Sequence, residues 1–106
     1  MTRREFLAIS CKMKVLAAEF LDEHADVNSC KILMQTKDGE AFEFATIKRD
    51  GGHIVEGGSR GGIVTPDSIM FVVGNDGAIV SVPFTNVATL YTKPERSENA
   101  PEQKQN

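Results

Sequence analysis

Tryptophan is absent from this sequence, tyrosine occurs once, cysteine occurs twice, and no apolar run approaches eighteen residues. The lack of a long apolar run argues against a transmembrane helix, so we expect no membrane contact. The N-terminus begins like a signal peptide, but charged residues interrupt the apolar segment that should follow, so we expect a cytoplasmic protein. Cys11 and Cys30 fit that compartment as reduced, half-buried side chains, and a disulfide between helix and strand is the alternative.

Motifs for catalysis or cofactor binding are also missing. The chain has neither the P-loop nor the dinucleotide fingerprint, no nucleophile with a local partner, and no pair of carboxylates in an apolar context. Residues 22–26 concentrate possible metal ligands, including His24, but no second histidine or cysteine lies at ligand spacing. We therefore predict a protein that is not an enzyme and that holds no cofactor or metal.

Positive charge is scarce, with twelve lysines and arginines against fifteen acidic residues and a net charge of −3. Proteins that bind nucleic acid through the phosphate backbone generally carry a basic surface, because lysines and arginines displace condensed counterions. Any nucleic-acid role must therefore rest on a local basic patch, and broad binding that ignores sequence is not expected.

Two Asp-Gly sequences indicate where the chain turns between predicted strands. Residues 30–36 and 41–47 flank one of them, and residues 68–73 and 78–84 flank the other. Asp-Gly suits a type I′ turn, whose twist matches paired strands, so each stretch is predicted to be a β-hairpin. The predicted pairs place Leu33 opposite Phe44 in the first hairpin, and Val73 opposite Val80 and Phe71 opposite Val82 in the second.

The N-terminal segment is predicted to form a helix over residues 2–24. Thr2 and Glu5 have the spacing of a capping box, in which each side chain accepts a hydrogen bond from a free amide. Apolar residues then recur at three and four positions, which places them on one stripe of the helix. The stripe either packs on the sheet or pairs with its copy in a second subunit. Its members are Phe6, Ile9, Met13, Leu16 and Phe20.

These elements predict one mainly β domain over residues 1–93. We expect a small antiparallel barrel of five to six strands, preceded by the helix, because one apolar face per hairpin is what a closed barrel requires. Pro83 lacks an amide donor and belongs at an edge or a strand end. Residues 94–106 contain one apolar side chain, Ala100, and are predicted to be a disordered tail.

A glycine-rich loop, residues 51–66, is the best candidate for a binding surface. Glycines such as Gly58 and Gly61 let backbone amides approach an anion, and Arg60 would supply a guanidinium group. Lys48 and Arg49, near the end of the preceding strand, complete a possible basic patch. Alternatively, the loop is only a flexible connection between strands, and Lys48 and Arg49 are solvated charges at a strand end.

Residues 81–91 resemble the second motif of the Sm-like (LSm) family, within the wider class of Src-homology-3-like small barrels. In that motif an Arg-Gly-x-Asn knuckle leads into the last strand; Asn86 and Val87 match its end, while Pro83 and Phe84 stand where the family has Arg and Gly. The resemblance covers residues 4–92 in outline. It implies a small barrel, assembly into a ring, and RNA contact by Asn86.

The leading hypothesis is a non-catalytic binding or regulatory module that self-associates through strand edges. It would recognise RNA or a small anionic ligand of the nucleotide type near the glycine-rich loop. The alternative is a protein-interaction module or an inhibitor that masks a partner protein.

Overall fold

The computed structural model describes residues 1–57 and 62–96 of the chain. Their order is α1 (Arg3–Glu23), β1 (Val27–Thr36), β2 (Ala41–Asp50), β3 (His53–Gly57), β4 (Ile63–Val64), β5 (Ser68–Val73), β6 (Ala78–Pro83), a 3₁₀ turn (Phe84–Asn86) and β7 (Val87–Arg96). The prediction of a mainly β protein with one N-terminal helix is confirmed. The last strand continues to Arg96, three residues beyond the predicted end of the domain at Lys93, so residues 94–96 of the predicted disordered tail are strand. The rest of that tail, residues 97–106, lies outside the described residues.

Helix α1 begins with the predicted capping box. The Glu5 amide donates to Thr2 Oγ1 at 3.1 Å, and the Thr2 amide donates to Glu5 Oε1 at 2.7 Å. Hydrogen bonding to the Glu5 carboxylate, from the Thr2 amide first and from the Thr2 side chain after it, favours the charged form and holds the pKa of Glu5 below its ordinary value. Two amides that the first helical turn leaves without partners are thereby satisfied, which fixes where the helix begins.

The strands form two antiparallel sheets. The large sheet has the order β3-β2-β1-β7 and the small sheet has the order β4-β5-β6. Within the described residues these sheets do not close into the predicted barrel. Strand β6 ends at Pro83, which has no amide to donate, and the 3₁₀ turn then redirects the chain so that β7 pairs with β1 in the other sheet. Pro83 is the last residue of an edge strand, as predicted.

The first hairpin differs from its predicted register at its turn end. Leu33 lies opposite Glu43 rather than Phe44, whereas Ile32 lies opposite Ala45, because the register shifts between these two pairs and leaves Phe44 of β2 as the extra residue of a bulge. A bulge adds one unpaired residue and shifts the register by one position. Alternate side chains of β1 point to the core, and Cys30, Ile32 and Met34 on that side are all buried.

The second hairpin turns through four residues, 74–77, with Gly74 and Gly77 in the left-handed region at φ 71° and 79°. Val73 therefore lies opposite Ala78 and Phe71 lies opposite Val80, so the predicted pairs are wrong by two residues. Side chains alternate between faces with a period of two, so this shift leaves the predicted core face unchanged. No described residue other than glycine has a positive φ, so Asp76 does not adopt the type I′ geometry.

The core lies between α1 and the two sheets, with Phe6 at its centre. The Phe6 ring is fully buried and meets Phe44 edge-on at 5.0 Å and Phe84 at 5.5 Å between centroids. Most of the predicted helical stripe packs on this core, but Leu16 is 46% exposed. Cys30 is buried and Cys11 is exposed, and both are free thiols.

The glycine at the end of the second hairpin turn provides a test of this fold. Gly77 has a φ of 79° with open space where a Cβ would lie, so an alanine there is strained by the backbone alone. We expect Gly77→Ala to lower the free energy of unfolding by about 1–2 kcal/mol, measured by urea denaturation.

Gly52→Ala is the matched control, because Gly52 also has open space but a φ outside the left-handed range. The control should leave stability unchanged or raise it by up to about 1 kcal/mol, since alanine restricts the unfolded chain. Equal losses in the two variants would contradict the turn geometry described here.

Candidate functional site

Arg49, one of the predicted ligand-binding residues, holds the C-terminal end of the helix. Its Nη2 donates to the carbonyl oxygens of Leu21 at 2.7 Å, Val27 at 3.0 Å and His24 at 3.3 Å. The last carbonyls of a helix lack partners within it and carry partial negative charge, and α1 has no basic residue in its last turn. Strand β2 therefore supplies the missing cation from a distant part of the chain.

Lys48 lies at the entrance to the glycine-rich segment. The residue is exposed, and its aliphatic chain crosses Gly57, where an added Cβ would come within 3.2 Å of both Cδ and Cε. Gly57 is the last described residue before positions 58–61. The predicted ligand residues Gly58, Arg60 and Gly61 lie outside the described residues, and their assignment stays a prediction from sequence.

Asn86, the residue matched to the Sm-like motif, lies elsewhere. Its backbone carbonyl accepts a hydrogen bond from the Lys37 amide at 2.9 Å, which ties the 3₁₀ turn to the first hairpin turn. That turn adjoins the start of β2 at Ala41, whereas Lys48 is seven positions further along the strand, a distance of about 23 Å. The structure does not bring these two predicted site residues together.

Part of the predicted glycine-rich loop is strand. β2 and β3 pair from Thr46 opposite Gly57 to Asp50 opposite His53, with Gly51 at φ 63° in the turn between them. Ile63 and Val64 form β4, which pairs with β5. Residues 53–57 and 63–64 of the predicted loop therefore lie in strands.

A cleft of about 540 Å³ opens between the two sheets. It is lined by residues 41–43 at the start of β2 and by residues 71–74 at the end of β5. The rings of Phe42 and Phe71 stack there with centroids 5.0 Å apart. Glu43 is the ionisable residue of this lining; it accepts a hydrogen bond from Thr46 Oγ1 at 2.7 Å and lies 3.7 Å from Lys31 Nζ. Sequence reasoning missed the cleft, because it forms only where two hairpins distant in the chain meet.

The outward face of the large sheet carries paired charges. Lys31 Nζ lies 3.1 Å from Glu95 and 3.7 Å from Glu43, and Ser29 Oγ also donates to Glu95 at 3.1 Å. Glu95 first, and Glu43 after it, hold the pKa of Lys31 above its ordinary value, because both carboxylates favour the charged ammonium. These three charged side chains are each about one-third to two-fifths exposed.

The small sheet is different, because β4, β5 and β6 contain no charged residue. We define its outer face as the side chains that point away from the core. Cross-strand pairing places Ile63 beside Met70, Met70 beside Ser81, and Val72 beside Ile79 on that face. Ile63 and Ile79 are each 62% exposed and Val72 is 40% exposed. This outer face is therefore the candidate contact surface of the small sheet.

The described residues contain no cluster of three or more potential metal ligands. In the same part of the chain, no helix combines the length and the apolar character needed to cross a membrane. Comparisons with protein-family models, with curated proteins and with solved structures found no match to this chain.

The position of Arg49 leads to a test of its role. Replacing it with methionine keeps an aliphatic stem but leaves the Leu21, His24 and Val27 carbonyls without their charged donor. We expect Arg49→Met to lower the free energy of unfolding by about 1.5–3 kcal/mol in chemical denaturation, the range for hydrogen bonds to a charged group.

Lys48→Met is the control, since it removes an exposed neighbouring cation and should change stability by less than about 0.5 kcal/mol. If Arg49→Met proved as stable as Lys48→Met, the capping role would be wrong and Arg49 would again be available for a ligand.

Proposed function

We propose that the protein is a non-catalytic binding module that associates with itself through its small sheet. The observation that carries this proposal is the distribution of charge between the two sheets. Each strand of the large sheet contains a charged residue, such as Lys31, Glu43, Glu56 and Lys93, whereas β4, β5 and β6 contain none.

The physical reason lies in desolvation. Burying a charged side chain against a partner costs several kcal/mol unless it is paired, and the centres of protein interfaces are accordingly depleted of charge. A sheet without charge avoids this cost. Its exposed isoleucines favour burial, because removing one such side chain fully from water contributes about 1.5–3 kcal/mol.

A protein partner is better supported than an anionic one. Two of the cations predicted to attract RNA or a nucleotide-type ligand are described residues. Arg49 donates to backbone carbonyls, and the side chain of Lys48 is exposed to solvent. Anion binding would depend on Arg60, outside the described residues. That protein partner is a second copy of the chain in this proposal. A regulatory role, in which the same surface masks another protein, is the alternative.

Sedimentation velocity on the purified protein tests this proposal. We expect the wild-type protein to show a mass above that of the monomer at micromolar concentration. Ile79→Lys should weaken association by about ten- to a hundred-fold, because a lysine ammonium would have to lose its hydration at the contact.

The matched control is Thr89→Lys, which places the same charge on an exposed β-branched position of β7 in the large sheet. The control should associate as the wild type does. A wild-type protein that remains monomeric up to about a hundred times the micromolar concentration would overturn the proposal. Its free energy of association would then be weaker than about 6 kcal/mol.

A further inference from the structure

We propose that two copies of the chain pair through strand β6, antiparallel about a two-fold axis, so that their small sheets join into one six-stranded sheet. This inference rests on the self-association proposed above and names the surface that carries it. It is an interaction between strand edges rather than between sheet faces.

Strand β6 is an open edge within the described part of the chain. It pairs with β5 on one side and has no strand neighbour on the other. Four of the six residues of β6 are exposed, namely Ala78, Ile79, Ser81 and Pro83. Each open edge presents backbone N–H and C=O groups that a further strand can pair.

The other described edges carry features that discourage such pairing. Strand β3 is five residues long and includes Glu56, and β4 has only two residues. Strand β7 ends in a lysine, a proline, a glutamate and an arginine, from Lys93 to Arg96. Charges and proline are the usual means by which proteins protect an edge from pairing. β6 has Pro83 at its end and no charge, so it is the least protected of these edges.

A second copy of β6 suits this edge for a reason of symmetry. When a strand pairs with itself about a two-fold axis, a charged residue at or beside the axis is brought near its own copy, and like charges destabilise such pairs. The sequence Ala-Ile-Val-Ser-Val-Pro avoids that repulsion at every position. Strand length also matches automatically, because both strands are the same.

The register follows from the alternation of side chains. Residues that lie opposite each other across two antiparallel strands point to the same face of the sheet. Core-side residues of one β6 must therefore face core-side residues of the other, which requires the two-fold axis to pass beside a residue that faces its own copy. With Val80 at the axis, residues 78–82 all take part and Pro83 stays outside the paired stretch. Ile79 then lies opposite Ser81 of the second copy, on the outer face.

Disulfide trapping tests this register in the full chain. Cys11, which is exposed, is first replaced by serine, and Ile79→Cys with Ser81→Cys are then introduced together. Opposed residues in antiparallel strands have Cα atoms about 4.5–5.5 Å apart, which suits a disulfide, whereas two positions on one strand are about 6.5–7 Å apart and bond poorly. We expect most of the oxidised protein to run as a covalent dimer that a thiol reductant reverses.

His53→Cys with Val55→Cys, in the same background, is the matched control. It places two cysteines at the same spacing on the edge strand β3 and should give monomer. Covalent dimer from the control to the same extent would overturn the proposal, because cross-linking would then report collision rather than pairing.

Val72→Lys separates pairing of edges from packing of faces. Val72 lies on the outer face but belongs to β5, one strand away from the β6 edge. We expect this variant to keep its mass in sedimentation velocity. If it became monomeric and the cysteine pair failed to cross-link, edge pairing would be wrong while self-association stood. A monomeric wild type would remove both proposals, and a closed ring larger than a dimer would overturn the two-fold arrangement.

Discussion

The contact of Phe6 with Phe44 and Phe84 is the interaction on which the rest of the structure depends. It joins the helix, the second strand and the 3₁₀ turn that carries the chain from one sheet to the other. Removing a buried phenylalanine side chain costs about 3–5 kcal/mol, a large part of the 5–15 kcal/mol that stabilises an ordinary domain. Once this contact sets the helix on the large sheet, the helix C-terminus lies within reach of the Arg49 guanidinium.

Charge is then divided between the sheets in a way that has a functional consequence. Two cations of the large sheet have defined roles, Arg49 on helix carbonyls and Lys31 between two carboxylates. The small sheet has no charge in any strand, and it retains both an exposed apolar face and an uncovered edge at β6. This division is the basis of the self-association that we propose.

The sequence predicted those structural features that depend on a few neighbouring residues. The Thr2–Glu5 capping box and the core face of the second hairpin could be read from neighbouring residues. Registers could not, because the bulge at Phe44 and the four-residue turn depend on how the paired strands pack. Nor could the role of Arg49, whose acceptors lie more than twenty residues away. The absence of charge in β6 was visible in the sequence, but its position at an edge depends on β7 pairing with β1.

The central claim is that the β6 edge is covered when two molecules meet. Amide hydrogen exchange followed by mass spectrometry, at protein concentrations below and above association, tests it most directly. The account predicts that exchange in residues 78–82 slows as concentration rises, while peptides from β3 and β7 exchange at unchanged rates. Exchange of the β6 amides that is independent of concentration over this range would contradict the account.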